Sequence, residues 1–326
     1  MAILITGGTG SVGSGLARRL VEKGEQNLVL FDLAPRPDRV LDIKESVKIV
    51  QGDLTVWPEV LNVVRENNID GIFHLGSLLS GACEANPWAG YQTVVTGTMH
   101  VLEAARLFDV KRVFFSSTSA TYGQAIPEVI TEETLQRPIS IYGAGKLFGE
   151  HLGRFYRRKF GLDFRCLRYF MVVGPGARTL PPVTEHYCLM IENAALGKPY
   201  QCKVSQDQGI PLTYFKDIIR ATEMLYYAPS EPIKTVCYNI IGVSPAKTAW
   251  ELAQTIQKFI PEAGITFKPD PQIVQFFDAF LGGMKAVDDS RARQEWGWEP
   301  LHTDFANIVE DFIREVKVRP QLYGLA

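Results

Sequence analysis

The chain has 326 residues, 46% of them hydrophobic, with 34 basic and 36 acidic side chains. That length supports one large or two modest domains with a sizeable core, and the apolar fraction excludes a mainly disordered chain. The net charge of −2 argues against bulk electrostatic binding to nucleic acid or to an anionic membrane, so we expect neither partner. No apolar run approaches the length of a membrane span, and the first strand begins without a preceding leader, which favours an unsecreted, cytoplasmic protein.

The first 120 residues alternate short apolar runs with amphipathic stretches. The runs end in Gly, Asp or Ser and predict strands at residues 3–6, 27–31, 48–50, 71–75 and 112–116. The stretches between them predict helices at residues 14–23, 56–67 and 98–108. Strands that alternate with helices at this spacing predict an α/β fold, a Rossmann-type doubly wound parallel sheet.

The rest of the chain has a less regular rhythm. Further elements are predicted as helices at residues 142–159 and 214–227, and as strands at residues 164–169 and 235–240. The last helix and strand are expected to return to the sheet. We therefore expect a main domain formed by residues 1–175 with 213–243. Residues 176–212 with 244–326 are expected to form a smaller, partly interleaved lobe.

Cysteine and histidine are scattered along the chain rather than clustered. The cysteines lack CxxC spacing, so in an unsecreted protein we expect buried, reduced thiols at Cys83, Cys166, Cys188, Cys202 and Cys237. Because the histidines lack HxxxH and HExxH spacing, we expect no metal site at His74, His100, His151, His186 or His302.

A glycine-rich segment, TGGTGSVG, follows the first predicted strand and opens the first helix. Gly7, Gly10 and Gly13 allow a tight turn, close approach of the backbone to a pyrophosphate, and close packing of the helix on the sheet. The N-terminus of the helix offers unpaired N–H groups to the phosphates. Asp32 ends the second strand about 20 residues after Gly13, the spacing expected for a carboxylate that binds both ribose hydroxyls. These features predict a dinucleotide-binding site.

The charge of Asp32 favours NAD over NADP, because a carboxylate repels a 2′-phosphate. Arg36 and Arg39 lie close by in the sequence and leave NADP open as the alternative. Asp53, after the third strand, fits either a contact with the adenine amino group or a cap of the next helix. Further cofactor contacts are expected at the strand ends and the first helical turn, from Ser11, Val12, Leu54, Leu75, Gly76 and Ser77.

Tyr142 and Lys146 stand one helical turn apart, on one face of a predicted helix. A free tyrosine has a pKa of about 10, and lowering it by about two to three units needs roughly 3–4 kcal/mol, which a lysine ammonium and an oxidised nicotinamide together could supply. Thr118, in a hydroxyl-rich strand end, is expected to hold a substrate oxygen. The set predicts proton transfer to Tyr142 together with hydride transfer to the cofactor. The structural alternative is an amphipathic pair with a snorkelling lysine.

Five segments resemble the extended short-chain dehydrogenase/reductase family of NAD-dependent epimerases, dehydratases and dehydrogenases: TGGTGSVG, HLGSLLSG, SSTSATYG, YGAGK and LRYFMVVGPG. The resemblance spans nearly the whole chain. It implies that Tyr142 is the catalytic base, that Lys146 helps to bind the cofactor ribose, and that Thr118 is the family's Ser/Thr. It also implies that Tyr169, in the LRYF segment, contacts the cofactor.

Two departures argue against a nucleotide-sugar substrate. Met171 stands where sugar-nucleotide members have an Asn, and residues 209–217 lack the family's diphosphate-binding Arg. The segments LSGACEANP, IPLTYFKDIIRAT and VDDSRARQEWGW resemble instead the short-chain L-threonine 3-dehydrogenases, which implies oxidation of a secondary alcohol beside an amine. Val94 replaces an Asn of that group, so a proton-relay contact is lost or replaced. The family also implies a homodimer that pairs through the helices at 98–108 and 142–159.

The leading hypothesis is an NAD-dependent dehydrogenase of a small β-hydroxy compound, L-threonine or a similar β-hydroxy acid. The alternatives are a sugar-nucleotide or sugar-acid epimerase, dehydratase or dehydrogenase with bound NAD, and a non-catalytic NAD-sensing module, which would not need an intact base. The expected substrate contacts are Ser80, Thr118, Ser119, Tyr142, Thr184 and Tyr214. For Ser80, Thr184 and Tyr214, ordinary packing is an equally good explanation.

Overall fold

The computed structural model describes residues 2–176, 185–281 and 283–325. Its strands are β1 (Ala2–Thr6), β2 (Leu28–Asp32), β3 (Val47–Gln51), β4 (Ile69–His74), β5 (Arg112–Thr118), β6 (Val129–Ile130), β7 (Asp163–Tyr169), β8 (Met171–Val173), β9 (Tyr200–Cys202), β10 (Gly209–Tyr214), β11 (Cys237–Ile240), β12 (Val243–Thr248), β13 (Ile265–Phe267) and β14 (Ala286–Val287). Its α-helices are α1 (Ser11–Glu22), α2 (Trp57–Glu66), α3 (Ser80–Ala85), α4 (Pro87–Tyr91), α5 (Gly97–Leu107), α6 (Ile141–Phe160), α7 (His186–Ala195), α8 (Phe215–Tyr227), α9 (Ala249–Phe259), α10 (Pro271–Leu281), α11 (Ser290–Trp296) and α12 (Phe305–Val318). Shorter turns of helix comprise 3-10 segments at Pro37–Ser46, Ser119–Thr121 and Pro320–Tyr323 and a π-helical turn at Gln92–Thr96.

A seven-stranded parallel sheet forms the centre of the described chain, in the order β11-β7-β5-β4-β1-β2-β3. β1 pairs with β2 on one side and with β4 on the other, so the direction of winding reverses beside β1. In sheets of this kind, ligands bind outside the carboxyl ends of the strands at the point of reversal. The predicted doubly wound parallel sheet is confirmed, and its topology places the candidate site at the ends of β1 and β4.

Helices cover both faces of this sheet, which explains why its strands are apolar along most of their length. Ile3 and Ile5 of β1 point to a cluster that includes side chains of α1 and α8. Leu4, between them, points to the opposite cluster, which includes side chains of α2, α5 and α6. Because successive side chains of a strand alternate between faces, one apolar strand fills two cores.

A third hydrophobic cluster lies beyond the main sheet. β8, β10 and β12 form a three-stranded sheet, and α7, α9 and α12 contribute apolar side chains to the cluster beside it. The chain then returns from this region, because α8 packs with α1 and β11 pairs with β7 at the edge of the main sheet. The helix and strand predicted for this stretch therefore return to the sheet as expected.

The five cysteine side chains are buried thiols, as their spacing predicts. Within the described ranges, no helix combines the length and apolar character that a membrane crossing requires. The same ranges contain no group of three or more potential metal ligands.

Candidate active site

The turn between β1 and α1 depends on contacts that only glycine permits. Gly7 has a φ of +63°, and a Cβ there would lie 2.8 Å from Cα of Gly76, just beyond β4. A Cβ on Gly13 would overlap the carbonyl oxygen of Gly7. The absence of these side chains brings the backbones of the turn, the helix and the end of β4 into direct contact.

The first turn of α1 presents its N–H groups at this glycine-rich turn. The helix begins after Gly10, and none of the described side chains caps it. The N–H of Ser14 makes an intrahelical bond, 2.9 Å long, to the carbonyl oxygen of Gly10. The N–H groups of Ser11, Val12 and Gly13 come before it and have no partner within the helix, so they are donors for an anion.

A buried hydrogen-bond network holds the ends of β1 and β4 below this turn. Nδ1 of His74 lies 2.8 Å from the hydroxyl of Thr6, and its Nε2 lies 3.1 Å from the hydroxyl of Thr98 on α5. The N–H of Gly76 donates to the same Thr6 hydroxyl oxygen at 3.0 Å. Burial, with a smaller effect of the Lys146 charge, lowers the pKa of His74 to about 3. The imidazole is therefore neutral at physiological pH.

Asp32 is held at the carboxyl end of β2 by Thr9. Oδ2 of Asp32 accepts hydrogen bonds from the Thr9 N–H at 3.1 Å and from its hydroxyl at 2.7 Å. The Thr9 hydroxyl oxygen in turn accepts the N–H of Arg36 at 3.0 Å. The Arg36 guanidinium pairs with Asp38 at 2.8 Å. The carboxylate expected to bind ribose is thus pre-oriented by the glycine-rich turn itself.

A cavity of about 480 Å³ extends from the glycine-rich turn along the ends of β2 and β3, and the predicted cofactor contacts that line it are Gly7, Asp32, Asp53, Leu54, Gly76 and Ser77. The Asp53 carboxylate accepts the N–H of Thr55 at 2.8 Å, so it also stabilises the turn before α2. This position agrees with both predicted roles of Asp53, a contact with the adenine amino group and a cap of the next helix. The Leu75 side chain packs against the core below the sheet edge.

Thr118 and Tyr142 meet where β5 ends beside the start of α6. The Ser140 hydroxyl oxygen caps α6 by accepting the N–H of Gly143 at 3.0 Å. Tyr142, in the first turn, lies beside Thr118, close enough for the Thr118 hydroxyl to affect the pKa of the phenol. Burial raises the pKa of Tyr142 to about 12, and the Thr118 hydroxyl opposes that rise.

Lys146 lies one turn further along α6. Its Nζ donates to the carbonyl oxygen of Ser116 at 2.8 Å and lies 5.9 Å from the centre of the Tyr142 ring. Burial lowers the pKa of Lys146 to about 8, against the opposing effects of two nearby thiols and the Glu150 carboxylate. The ammonium form therefore predominates at neutral pH.

Without the cofactor, the protein does not make Tyr142 acidic. The Lys146 ammonium is directed at the Ser116 carbonyl, and burial has the larger effect on the phenol. The phenol therefore needs a further positive charge beside it before it can lose its proton near neutral pH.

The remaining predicted substrate contacts have different positions. Ser80 opens α3 and Ser119 opens the 3-10 turn after β5, so both lie near the carboxyl ends of the main sheet. Thr184 lies outside the described residues. Tyr214 is completely buried, and its hydroxyl donates to Oδ2 of Asp311 at 2.7 Å. Tyr214 is thus a packing residue, and the structure does not support the substrate contact expected of it.

Three other residues discussed in the sequence analysis, Tyr169, Met171 and Val94, mainly make packing contacts. Tyr169 ends β7, and its hydroxyl donates to that of Thr222 at 2.5 Å, because the Thr222 hydroxyl itself donates to the Ile218 carbonyl oxygen. Met171 is buried in the hydrophobic cluster beside β8, β10 and β12. Val94 packs against α6, where a Cβ on Gly145 would lie 2.8 Å from its Cγ1.

A buried ion pair beside Thr118 and Lys146 was not predicted from the sequence. Glu150, one turn after Lys146, accepts two bonds from Arg168 of β7 at 2.9 and 2.6 Å and one from the Ser117 hydroxyl at 2.5 Å. Glu150 is 1% exposed and Arg168 is 3% exposed. The network joins α6, β5 and β7 directly behind Thr118 and Lys146. The four-residue spacing from Lys146 was an available signal, but the partner on β7 follows only from the fold.

A family model, described as the NAD dependent epimerase/dehydratase family, matches residues 3–240, which is most of the chain. The chain belongs to this family. The predicted extended short-chain dehydrogenase/reductase is confirmed, and the protein is an NAD-dependent enzyme of the oxidoreductase type.

Proteins similar to this family member include several L-threonine dehydrogenases. A mitochondrial L-threonine 3-dehydrogenase from Bos taurus is 33% identical over 299 residues, which cover 91% of this chain and 78% of the relative. A GalE-like L-threonine dehydrogenase from Cupriavidus necator, in its holo form, has a TM-score of 0.88 at 29% identity, covering 97% of this chain and 100% of that chain. A monomeric L-threonine 3-dehydrogenase from a metagenome has a TM-score of 0.85 at 27% identity, covering 97% and 98%.

The residues of the crevice fit the NAD of this family. Gly7 and Gly13 allow the turn to pack directly against the end of β4 and the start of α1, and the uncapped start of α1 offers donors for a diphosphate. Asp32 offers acceptors for ribose hydroxyls, and the cavity beside Asp53 and Leu54 suits an adenine. NAD is therefore the cofactor, as predicted.

Proposed function

We propose that the protein is an NAD-dependent dehydrogenase that oxidises the secondary alcohol of a small β-hydroxy compound, L-threonine or a similar β-hydroxy acid. The observation that carries this proposal is the position of Tyr142 beside Thr118 at the end of β5, with Nζ of Lys146 5.9 Å from the centre of the Tyr142 ring. The similarity to L-threonine dehydrogenases over nearly the whole chain supports the substrate class.

In the proposed mechanism, Tyr142 is the general base and takes the proton of the substrate hydroxyl. Thr118 orients the same substrate oxygen through its own hydroxyl. Lys146 binds the cofactor ribose and keeps a positive charge one turn from the phenol. Bound NAD supplies the hydride acceptor and a second positive charge. Glu150 and Arg168 hold β5 and α6 together, so that Thr118 and Tyr142 stay in register.

The contacts around α8 and α12 support a small substrate over a nucleotide sugar. Lys216 is the cation nearest the position where the resemblance expects a diphosphate-binding Arg. Its Nζ lies 2.6 Å from Asp311 and 2.7 Å from Glu315, so its charge is already neutralised. Met171 is buried and offers no amide to a sugar nucleotide.

The proposal is tested by following NADH formation with NAD and a panel of L-threonine, other β-hydroxy acids and UDP-sugars. We expect steady NADH formation with L-threonine or another β-hydroxy acid. Tyr142→Phe is expected to lower kcat at least about 100-fold while the dissociation constant of NAD changes by less than about twofold. Tyr156→Phe is the matched control, because Tyr156 lies on the same helix and its hydroxyl bonds Glu103 at 2.7 Å, away from the site. Its rate should stay near that of the wild type.

Other outcomes would contradict the proposal in distinct ways. If Tyr142→Phe kept more than about a tenth of the wild-type rate, less than about 1.4 kcal/mol of the barrier would depend on this hydroxyl, and it would not be the base. Turnover of UDP-sugars without net NADH would support the epimerase or dehydratase alternative. Stabilisation by NAD without turnover of any hydroxy acid would support the sensing module.

We also propose that the protein forms a homodimer through α5 and α6. The two helices lie side by side, joined by the bond between Tyr156 and Glu103. Their outer face exposes apolar side chains. Met99 lies on α5, and Ile141, Phe148 and Phe155 follow one another at seven-residue intervals on α6. A continuous apolar stripe on paired helices is typical of a helix–helix interface.

We also assign NAD binding and substrate binding to different parts of the chain. We propose that residues 1–175 with 213–243 bind NAD, and that residues 176–212 with 244–326 form the substrate-binding lobe. The separate hydrophobic cluster around β8, β10 and β12 supports this division. We further propose a cytoplasmic location, which is supported by the five buried thiols.

A further inference from the structure

Arg36 is one of the two nearby arginines that leave NADP open as the cofactor of this site. It follows Asp32 closely in the sequence, and an arginine near the ribose carboxylate is the usual partner of a 2′-phosphate. Here the guanidinium is occupied, because its Nε and Nη2 donate to the two carboxylate oxygens of Asp38 at 3.0 and 2.8 Å. An arginine binds a phosphate with the same pair of N–H groups, so the contact with Asp38 uses the donors that a 2′-phosphate would need.

The surroundings hold Arg36 in this arrangement. Its backbone N–H donates to the Thr9 hydroxyl oxygen at 3.0 Å, and that hydroxyl donates to Asp32 at 2.7 Å. The turn near the C-terminus lies against the guanidinium, since a Cβ added at Gly324 would be 3.4 Å from Nη2. Arg36 is therefore fixed at both its backbone and its side chain, next to the ribose carboxylate.

Asp38 is the carboxylate that pairs with Arg36. It lies in the 3-10 segment Pro37–Ser46, which is anchored to α1 by the ion pair of Arg18 with Asp42 at 2.5 Å. Its hydrogen bonds with Arg36 lower the pKa of Asp38, so the carboxylate is ionised at neutral pH. The end of β2 and the loop after it thus carry two carboxylates, at positions 32 and 38, and a cation that is already paired.

We propose that Asp38 is a cofactor-specificity residue, which retains Arg36 in an ion pair and thereby excludes the 2′-phosphate of NADP. Asp32 repels that phosphate, and Asp38 withholds the cation that would offset the repulsion. The side chains of Arg36 and Asp38 are 51% and 42% exposed, so the pair adds little to the stability of the fold. The ion pair instead affects the local charge, because a 2′-phosphate would face the Asp32 and Asp38 carboxylates while Arg36 is already paired. This inference concerns the cofactor and does not depend on which alcohol is oxidised.

The test is a fluorescence titration of the wild type and Asp38→Asn with NADH and NADPH at low salt, without any alcohol substrate. Asp38→Asn keeps the shape of the side chain and removes its charge. We expect it to bind NADPH at least about fivefold more tightly than the wild type, while its dissociation constant for NADH changes by less than about twofold. The gain should shrink as the salt concentration rises, because it is electrostatic.

Two further variants separate this proposal from a general change of charge. Glu45→Gln is the matched control, because it removes one carboxylate from the same 3-10 segment and Glu45 pairs with Lys44 instead of Arg36. It should leave the NADPH affinity unchanged. The double variant Arg36→Ala/Asp38→Asn should lose the gain.

Three results would overturn the proposal: an unchanged NADPH affinity in Asp38→Asn, an equal gain in Glu45→Gln, or a gain that survives without Arg36. Thermal unfolding of each variant confirms that it is folded before titration. If the wild type bound neither dinucleotide, the cofactor assignment would fail and this proposal with it. Failure to oxidise L-threonine would leave the titration and its meaning intact.

Discussion

At the scale of single residues, acidity in this site is controlled by burial more than by spacing along a helix. Burial raises the pKa of Tyr142 to about 12 and lowers that of Lys146 to about 8. Both changes favour the uncharged forms, as expected for groups taken out of water. In the proposed mechanism, Tyr142 therefore becomes a base only when a cofactor charge adds to that of Lys146.

His74 is expected to make the fold sensitive to acid. Burial lowers its pKa to about 3, whereas an unfolded histidine titrates near 6.5. Between these values the unfolded chain binds more protons than the folded one. The stabilisation is therefore fully present above about pH 6.5 and is lost as the pH falls towards 3. Between pH 7 and pH 5 the expected loss in the free energy of unfolding is roughly 2 kcal/mol.

Urea unfolding at the two pH values measures this contribution. His74→Gln keeps a hydrogen-bonding group but does not titrate, so its loss of stability between pH 7 and pH 5 should be smaller by about 2 kcal/mol. His151→Gln is the control, because His151 is exposed on α6, and its loss should match that of the wild type. An identical pH dependence in His74→Gln and the wild type would rule out this role of His74.

At the scale of elements, the junction of β1 and α1 combines a packing requirement with a binding one. A Cβ at position 13 would overlap the Gly7 carbonyl oxygen, so the helix would have to move away from the turn. We expect Gly13→Ala to weaken NAD binding at least about tenfold, because the N–H donors of the first helical turn move with it. Calorimetric titration with NAD measures the change.

The control for this element is a glycine with room for a side chain. A Cβ on Gly264 would lie 3.4 Å from Pro199, an ordinary contact, so Gly264→Ala should bind NAD like the wild type. Circular dichroism establishes that both variants are folded. A dissociation constant for Gly13→Ala within about twofold of the wild type would show that the close packing is not required for binding.

At the scale of the whole molecule, the exposed apolar stripe on α6 is the feature that a single chain leaves uncovered. Phe148 is 44% exposed near the middle of this stripe. Phe148→Glu places a charge in the proposed interface and is expected to convert a dimer into a monomer, because an unpaired buried charge is costly. Light scattering coupled to size-exclusion chromatography measures the mass.

Phe259→Glu provides a matched control for the dimer. Phe259 is 40% exposed at the end of α9, far from the stripe in the sequence, and the same substitution there should leave the dimer intact. A monomeric wild type, or a dimer that survives Phe148→Glu, would refute pairing through α5 and α6.

The amino-acid sequence alone was sufficient for the main sheet, the glycine-rich turn and the Tyr142–Lys146 pair. Each of these depends on residues close together in the chain: a run of apolar residues, a triplet of glycines or one turn of helix. The boundaries moved by one to three residues, as for the strand predicted at 71–75, which spans Ile69–His74, because pairing with neighbouring strands sets the ends. Local pattern also predicted the burial of the cysteines.

The tertiary structure decided which groups meet across the chain and how far each is removed from water. Tyr214 matched a substrate contact by position, but Asp311, 97 residues away in sequence, receives its hydroxyl in the core. Glu150 gains its partner only because β7 lies beside α6. The raised pKa of Tyr142 follows from desolvation, which is a property of the packed site. Burial and long-range pairing depend on residues that are far apart in the chain, so no short stretch of sequence determines them.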